Sequence, residues 1–538
     1  MCQPKAIRQA ELHAAPQGPK QLVFLSPAEL SLPKNVGQSP PPITCGIWGL
    51  VSQEKECKVV CMPLPVLSIA QMREWEKATW ASGQTEAEVI RRVGESIAQY
   101  ACQLTRSGDL ILILAGKGNN GADARAAQSG LSDRRVDMLQ VEDPAAELGK
   151  LDGLLSLKPV LVIDGLFGIG LTRALGPEWI EFIRHINDAK AQVLSVDVPS
   201  GLNADSGQAM GAAVRATITL TVGAPKTGLL EAVAWPYVGR LEVADQVGLV
   251  PCPLSSELQW TIASDFAGFP PPRLVATHKG SYGHLAIIAG SIGYHGAAVL
   301  SARGAQRAQP GLITLFTSEQ VYHSVAPQLQ AVMVSPLLRD PEITVTATAI
   351  LAGPGLAGAE VQDSVRTLIR HFWRDSRLPM VVDASALDWL PFGVLPRDLS
   401  RIITPHPGEA GRLMGATAQI VQGNRLQALR TISKRFGDCW VVLKGHQTLI
   451  GRSSGAVYVN SSGNPYLAQG GSGDVLSGFL SGLLAQPALL NDIATTICYA
   501  VWQHGATADL LQCTRPNWVV EDLIEALGQG RAGREAKR

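Results

Sequence analysis

Neither sign of charge dominates this chain: 46 Lys and Arg residues balance 46 Asp and Glu residues, for a formal net charge of zero. Nucleic acid or an anionic membrane surface calls for a basic excess, so the balance gives no reason to expect either partner. Aromatic residues are scarce at 5%, which weighs further against a base-stacking surface. No run reaches the roughly 20 apolar residues of a membrane span. The N-terminus also lacks the basic, apolar, small-residue order of a secretion signal. The nine cysteines are odd in number, and only Cys57 and Cys61 sit close together. With no second pair or His cluster to complete a zinc site, free thiols in a reducing cytoplasm are the expectation.

What is present is glycine, 54 residues of it, in a chain of 538 that is too long for one ordinary domain. Residues 1–61 carry scattered prolines and no sustained period, and are expected to be a poorly ordered extension. Regular patterning begins at Met62, a candidate translation start that the N-terminal peptide mass of the natural protein tests. From there short apolar runs alternate with amphipathic stretches such as 177–189. Runs at 109–116, 159–168 and 191–201 form one series; a second includes 283–290, 311–317, 349–355, 379–385, 401–409 and 440–445. Near-continuous apolar strands alternating with helices indicate parallel sheets covered on both faces. The fold class is therefore α/β, with two different α/β domains in tandem, 62–251 and 257–533, and a boundary near residue 255.

In the first series three strand ends carry polar loops, where doubly wound sheets bind ligands. "AGKGNNGADA" (115–124) offers glycines and a helix N-terminus suited to phosphate, but no Walker spacing. "DGLFGIGL" (164–171) and "DVPSGLNADSG" (197–207) place Asp164, Asp197 and Ser200 at neighbouring strand ends. Together with Asn119 and Asn120 these hard oxygen donors suit an alkali or alkaline-earth cation. A carboxylate there is also able to act as acid or base.

In the second series the strongest motif is "NPYLAQGGSGDVLSGFLSGLLAQ" (464–486). Gly470, Gly471 and Gly473 lead into a helix whose N–H groups and dipole make an anion hole for a transferring phosphoryl group. Asp474 in the first turn is placed to accept a hydroxyl proton; the alternative is that it only caps the helix. "LKGHQT" (443–448) puts Lys444, Gly445 and Thr448 at a strand end, and "TPHPGE" (404–409) sets His406 beside Glu409 without metal-ligand spacing. Small residues along 294–311 suit the close approach of a ligand or a neighbouring helix.

"GNNGADA…DGLFGIGL…DVPSGL…KTGLL", over about 62–250, resembles the NAD(P)H-hydrate epimerase domain, which is Rossmann-like. The resemblance implies a potassium ion held by Asn120, Asp164 and Ser200. It implies contacts to the hydrated cofactor from Asn119, Asn120, Gly121, Ala122 and Asp123, from Gly168, Ile169, Gly170, Leu171, Thr172, Arg173 and Ala174, and from Asp197, the catalytic group for proton transfer. One departure stands out. The family's G-G-D-G reads Gly121-Ala122-Asp123-Ala124 here, and each alanine adds a methyl where positive φ or close approach would cost about 1 kcal/mol or more.

"HKGSYG", "GPG", "TPHPGE", "KGHQT" and "GGSGD", in that order over about 260–530, resemble the ADP- or ATP-dependent NAD(P)H-hydrate dehydratase of the ribokinase-like superfamily. By that resemblance Ala297, Gly355, His406 and the catalytic Asp474 touch the hydrated nicotinamide nucleotide. Lys444, Gly445, His446, Gln447, Thr448 and Gly473 hold the adenine nucleotide, with magnesium. His446-Gln447 stands where the family often has smaller residues. The implied partners are NADH hydrate and NADPH hydrate (NADHX and NADPHX) and an adenine nucleotide, ADP being favoured because the fusion resembles bacterial proteins. The expected assembly is a homo-oligomer. A small-molecule kinase would use the same glycine turn and release a stable phosphorylated product, which product analysis distinguishes. A non-catalytic first domain is the other alternative; the retained Asp164, Asp197 and Ser200 argue against it.

Overall fold

The computed structural model describes residues 63–337, 346–396 and 399–529. The expected extension 1–61, the start at Met62 and the Cys57–Cys61 pair lie outside the described residues.

The first apolar series forms a six-stranded sheet in which every neighbouring pair is parallel. Its spatial order is Arg135–Gln140, Leu110–Ala115, Leu161–Gly165, Gln192–Val196, Ile218–Val222, Arg240–Ala244. The run "LILILA" is buried at all six positions because alternate side chains serve opposite cores. Ile111 and Ile113 pack under helix Glu86–Leu104, whereas Leu112 and Leu114 meet the buried faces of helices Pro144–Ser156 and Pro177–Asp188. Local signals set the helix starts: Thr85 accepts from the Glu88 N–H, Asp143 caps Pro144–Ser156, and Pro177 opens its helix. Strand order reverses between Leu110–Ala115 and Leu161–Gly165, which opens a crevice at their carboxyl ends.

The second series builds an eleven-stranded sheet. Seven parallel strands run Trp440–Leu443, Arg401–Ile403, Met380–Val382, Ala349–Ala352, His284–Ile288, Leu312–Thr317 and Met333–Pro336. Leu449–Gly451, Val457–Val459 and Leu258–Trp260 extend it beyond Trp440–Leu443. The order reverses between His284–Ile288 and Ala349–Ala352, giving this sheet its own crevice. Helices His295–Ala308 and Ser472–Leu484 pack backbone to backbone: a Cβ on Gly478 would lie 2.0 Å from the Ser301 carbonyl oxygen, and one on Gly304 would lie 2.4 Å from that of Val475. The small residues along 294–311 thus serve a neighbouring helix.

The α/β expectation holds for both sheets, with one difference in connectivity. Leu64–Pro65, which the sequence places at the start of the first domain, pairs antiparallel with Leu258–Trp260 at the edge of the second sheet. The two sheets also share one core, in which Val198, Leu202, Leu229 and Val238 are continuous with Trp260, Ile350 and Val457. Among the described residues no single helix is long and apolar enough to cross a membrane.

Candidate active sites

At the six-stranded sheet's crevice, Gly118 ends the loop and Asn119–Ala126 is a helix. Gly121 is glycine because a Cβ there would come within 2.0 Å of the Gly116 carbonyl oxygen. Ala122 and Ala124 are ordinary right-handed helical residues and neither has positive φ, so the strain expected of them is absent. The Ala124 methyl instead fills the space beside Gly165, where an added Cβ would approach it to 2.4 Å.

Asp164, next to last in its strand, is fully buried. It accepts from the Ser195 hydroxyl at 2.8 Å, the Ser200 N–H at 2.9 Å and the Ser200 hydroxyl. Asn120 donates to the Phe167 carbonyl at 2.9 Å, and the Phe167 N–H donates to Ser200 Oγ at 2.9 Å. The three expected cation ligands therefore converge around the Phe167 turn. Burial pushes the Asp164 carboxyl up, only partly offset by its hydrogen bonds to Ser200 and Ser195, and no ion pair reaches it among the described residues.

Asp197 sits at φ 63, a left-handed conformation that Asp tolerates better than most residues. One oxygen accepts from the Val222 N–H at 3.1 Å and from the ammonium of Lys226. Lys226 is 1% exposed and spends its remaining protons on Thr221 Oγ1 at 3.0 Å and the Val222 carbonyl at 2.8 Å. Asp197 lines a cavity of about 600 Å³ together with Asn119, Asn120, Asp123 and Gly168 through Arg173, a volume suited to a small organic ligand. Gly121, Ala122 and Ala174 are not on its wall: Gly121 packs against the Gly116 backbone, Ala122 is half-buried and Ala174 is exposed.

Five acids line that cavity: Glu76, Glu86, Asp123, Glu142 and Asp197. Asp123 is pushed up to about 8, first by burial and then by Asp197, Glu76 and Glu86. Glu76 is raised by burial and by Asp197. Asp123 therefore holds more protons folded than unfolded between its ordinary value of 3.8 and about 8, and its contribution to stability falls as pH rises through that window. Asp123→Asn is expected to melt above wild type at pH ~8, with the difference shrinking toward pH ~4. Melting curves across that range check it, and a constant offset would contradict the burial.

The second crevice gathers its groups at the carboxyl ends of three strands. Gly471, at φ 96, caps helix Ser472–Leu484, and no side chain accepts from its first turn. Asp474 is thus not a cap; the Ser472 N–H donates to the Gln469 carbonyl at 3.3 Å, and those of Gly473 and Asp474 stay open. Lys444 donates to Asp383 at 2.9 Å and lies 3.9 Å from Glu409; a Cβ on Gly473 would stand 3.4 Å from its ammonium. Burial works against the Lys444 charge, but Asp383 and Glu409 outweigh it and its pKa is raised. Asp474 is pushed up to about 7 by burial and then by Asp383, with Lys444 opposing. His504 is pushed down to about 4 by burial, so its neutral ring donates to the Ser472 carbonyl at 3.0 Å and braces the turn.

Ala297 and Gly355 come together, since a Cβ on Gly355 (φ 65) would lie 2.9 Å from that of Ala297. His406 caps helix Pro407–Met414, with Nδ1 accepting from the Gly408 N–H at 3.0 Å; Nε2 lies 3.5 Å from Glu409 and the outer side of the ring is exposed. In the Lys444–Thr448 loop Gly445 takes φ 128, Thr448 donates to the Gly445 carbonyl at 3.1 Å, and Gln447 is buried. Among the described residues no His, Cys, Asp and Glu cluster forms a metal site. Sequence reasoning missed Lys226, Glu76, Glu86, Asp383 and Glu409 as functional groups. Lys226 stood in the quoted "KTGLL" and Asp383 at the end of a strand, but no local pattern marks the two glutamates of the first helices.

The NAD(P)H-hydrate dehydratase family model matches residues 285–527, and the model described as YjeF-related protein N-terminus matches 135–228. A bifunctional NAD(P)H-hydrate repair enzyme of Coxiella burnetii is 34% identical over 464 residues, covering 82% of this chain and 93% of the relative. Its namesake in Escherichia coli is 33% identical over 479 residues, covering 84% and 90%. A solved ADP/ATP-dependent NAD(P)H-hydrate dehydratase from Bacillus subtilis, crystallised with ATP and magnesium, is 30% identical over 50% of this chain and 95% of its own, with a TM-score of 0.45.

Proposed function

Because the chain belongs to the bifunctional NAD(P)H-hydrate repair enzymes, we propose that its two crevices perform successive steps on one damaged cofactor. The first equilibrates the R and S epimers of NADH and NADPH hydrate, and the second dehydrates the S form at the expense of an adenine nucleotide. The observation that carries the reading is the meeting of a glycine turn, Asp474 and the Lys444–Asp383 pair at one sheet edge.

Hydration leaves a hydroxyl on the reduced ring that is a poor leaving group. Asp474 takes the hydroxyl proton as the oxygen attacks the nucleotide's terminal phosphoryl group; the bond to the bridging oxygen breaks, releasing AMP from ADP or ADP from ATP, and the open N–H groups at Gly473 and Asp474 meet the transferred charge. The ring nitrogen then expels the phosphate, a ring proton leaves, and the dihydronicotinamide is restored. Lys444, fixed by Asp383 and Glu409, faces the phosphates, and the loop through Thr448 holds the nucleotide. Magnesium would arrive on those phosphates. Ala297, Gly355 and the outer face of His406 border the nicotinamide side.

In the first crevice the reacting carbon bears both the ring nitrogen and the hydroxyl. Asp197, tied to Lys226, accepts the hydroxyl proton as the carbon–nitrogen bond opens to an aldehyde. Asp123, protonated near neutral pH, supplies a proton to the nitrogen, and reclosure on the other face inverts the centre. The residues also fit a potassium ion: Asp164 is a buried carboxylate with no ion-pair partner among the described residues, and it bonds the Ser200 hydroxyl, which lies 3.4 Å from the Phe167 carbonyl that accepts from Asn120. Asn120, Asp164 and Ser200 would hold it, and its charge would fix the turn that forms the cavity wall. The five free cysteines among the described residues suit a reducing compartment, the basis for placing the protein in the cytoplasm.

The test is recovery of the dihydronicotinamide near-ultraviolet absorbance from mixed NADPH hydrate epimers, with ADP or ATP. Recovery of the whole mixture, dependent on nucleotide, is expected. Its rate should fall as pH drops through about 7, where Asp474 takes up a proton. No recovery with either nucleotide, or a stable phosphorylated product, would sink the reading.

A further inference from the structure

We propose that the first domain is a working part of the second domain's nucleotide site: Trp235 wedges against His446 and Arg425 and so sets the conformation of the Lys444–Thr448 loop. The inference rests on the reading of that loop as the nucleotide holder.

Trp235 opens the short helix Trp235–Val238, just before the last strand of the six-stranded sheet. Its ring meets that of His446 edge-on, with centroids 5.2 Å apart at 80°, and the Arg425 guanidinium carbon lies 5.8 Å from the Trp235 ring. The indole N–H has no acceptor among the described residues, so the residue acts through its ring. Arg425 is 8% exposed and pairs with no carboxylate among the described residues. It donates instead to the carbonyls of His446, of Gln447 at 3.1 Å and of Leu443 at 3.2 Å.

The loop these two residues grip is not at rest by itself. Gln447 holds φ 51 while buried, and its side-chain N–H₂ lacks an acceptor among the described residues. Such a conformation persists only where the surroundings over-determine it. Arg425 fixes it from within its own domain; Trp235 fixes it, and faces the otherwise uncompensated guanidinium, from the other domain. A second link ends on the same site. Arg240 pairs with Asp509 at 3.1 Å, and Asp509 accepts from the Gly463 N–H at 2.9 Å and from Asn464 at 3.0 Å. That segment leads to the glycine turn, and the Asn460 N–H joins it to the Thr448 carbonyl at 2.9 Å.

The experiment uses the full chain and pure S hydrate, reading KM for ADP, KM for hydrate and kcat, with epimerisation measured separately. Trp235→Ala should raise KM for ADP about tenfold, leave epimerisation at the wild-type rate, and be largely rescued in Trp235→Phe. An unchanged KM for ADP in a folded variant overturns the proposal, as does an equal loss of both activities, which would mark Trp235 as structural only. If Trp235→Ala does not fold, Arg240→Gln, at a half-exposed position, is the substitute. A rise in its KM for ADP with unaltered epimerisation supports the proposal, and no change overturns it. Wild type lacking nucleotide-dependent dehydration is a separate result: it removes the reading of the loop itself.

Discussion

Replacing Asp474 with asparagine should lower nucleotide-dependent dehydration by about three orders of magnitude while epimerisation continues at its normal rate. The substitution keeps the shape of a side chain in the first turn of helix Ser472–Leu484 and removes only its ability to take a proton. Asp474 makes no capping bond, so the helix start does not depend on it. Loss of its charge also leaves Lys444 with both acidic partners, Asp383 and Glu409, in place. Binding of ADP should therefore survive. Equilibrium binding beside single-turnover kinetics checks the split; a variant that loses binding and turnover together would place Asp474 among the binding groups instead.

Asp197→Asn should abolish measurable enzymatic epimerisation, and it should also cost stability. Lys226 is buried, and among the described residues its charge is paired by Asp197 alone. Breaking a buried pair at one end typically costs about 3–5 kcal/mol; the bonds from Lys226 to Thr221 and Val222 put the expectation at the low end of that range. Asparagine accepts the φ of 63, whereas alanine there should lose a further ~1–2 kcal/mol. The double variant Asp197→Asn, Lys226→Met removes both charges and should regain most of the stability without regaining activity. Denaturant melts of the single and double variants decide this. Full activity in Asp197→Asn would pass the proton-transfer role to Asp123. The uncatalysed interconversion of the epimers sets the baseline for every such rate.

The parts of this account legible in the sequence are those encoded locally. "LILILA" announces a strand buried on both faces, and "GGSGD" a glycine turn ahead of a helix. The catalytic partnerships are not local. Lys226 reaches Asp197 across 29 residues and Lys444 reaches Asp383 across 61, because parallel strands bring their carboxyl ends together only after a crossover. Two strands hid for another reason: the edge strand Arg135–Gln140 is mostly half-exposed, so its sequence shows no apolar run. Ile218–Val222 buries Thr219 and Thr221, whose hydroxyls bond within the fold. The strain expected at Ala122 and Ala124 was inferred from a loop that turns out to be helix, where an alanine methyl is no burden. Trp235 carried no motif at all, and only the packing of one domain on the other gives it a neighbour.

The most direct test of two dependent sites on one chain begins with the R hydrate, the epimer the second site does not accept. Asp474→Asn and Asp197→Asn are each assayed with ADP, alone and then mixed, against the spontaneous rate. Neither variant alone should restore dihydronicotinamide absorbance faster than spontaneous epimerisation allows, and the mixture should restore it rapidly, one protein supplying the S form and the other consuming it. Rapid restoration by Asp197→Asn alone, or a mixture no faster than its parts, would contradict the account.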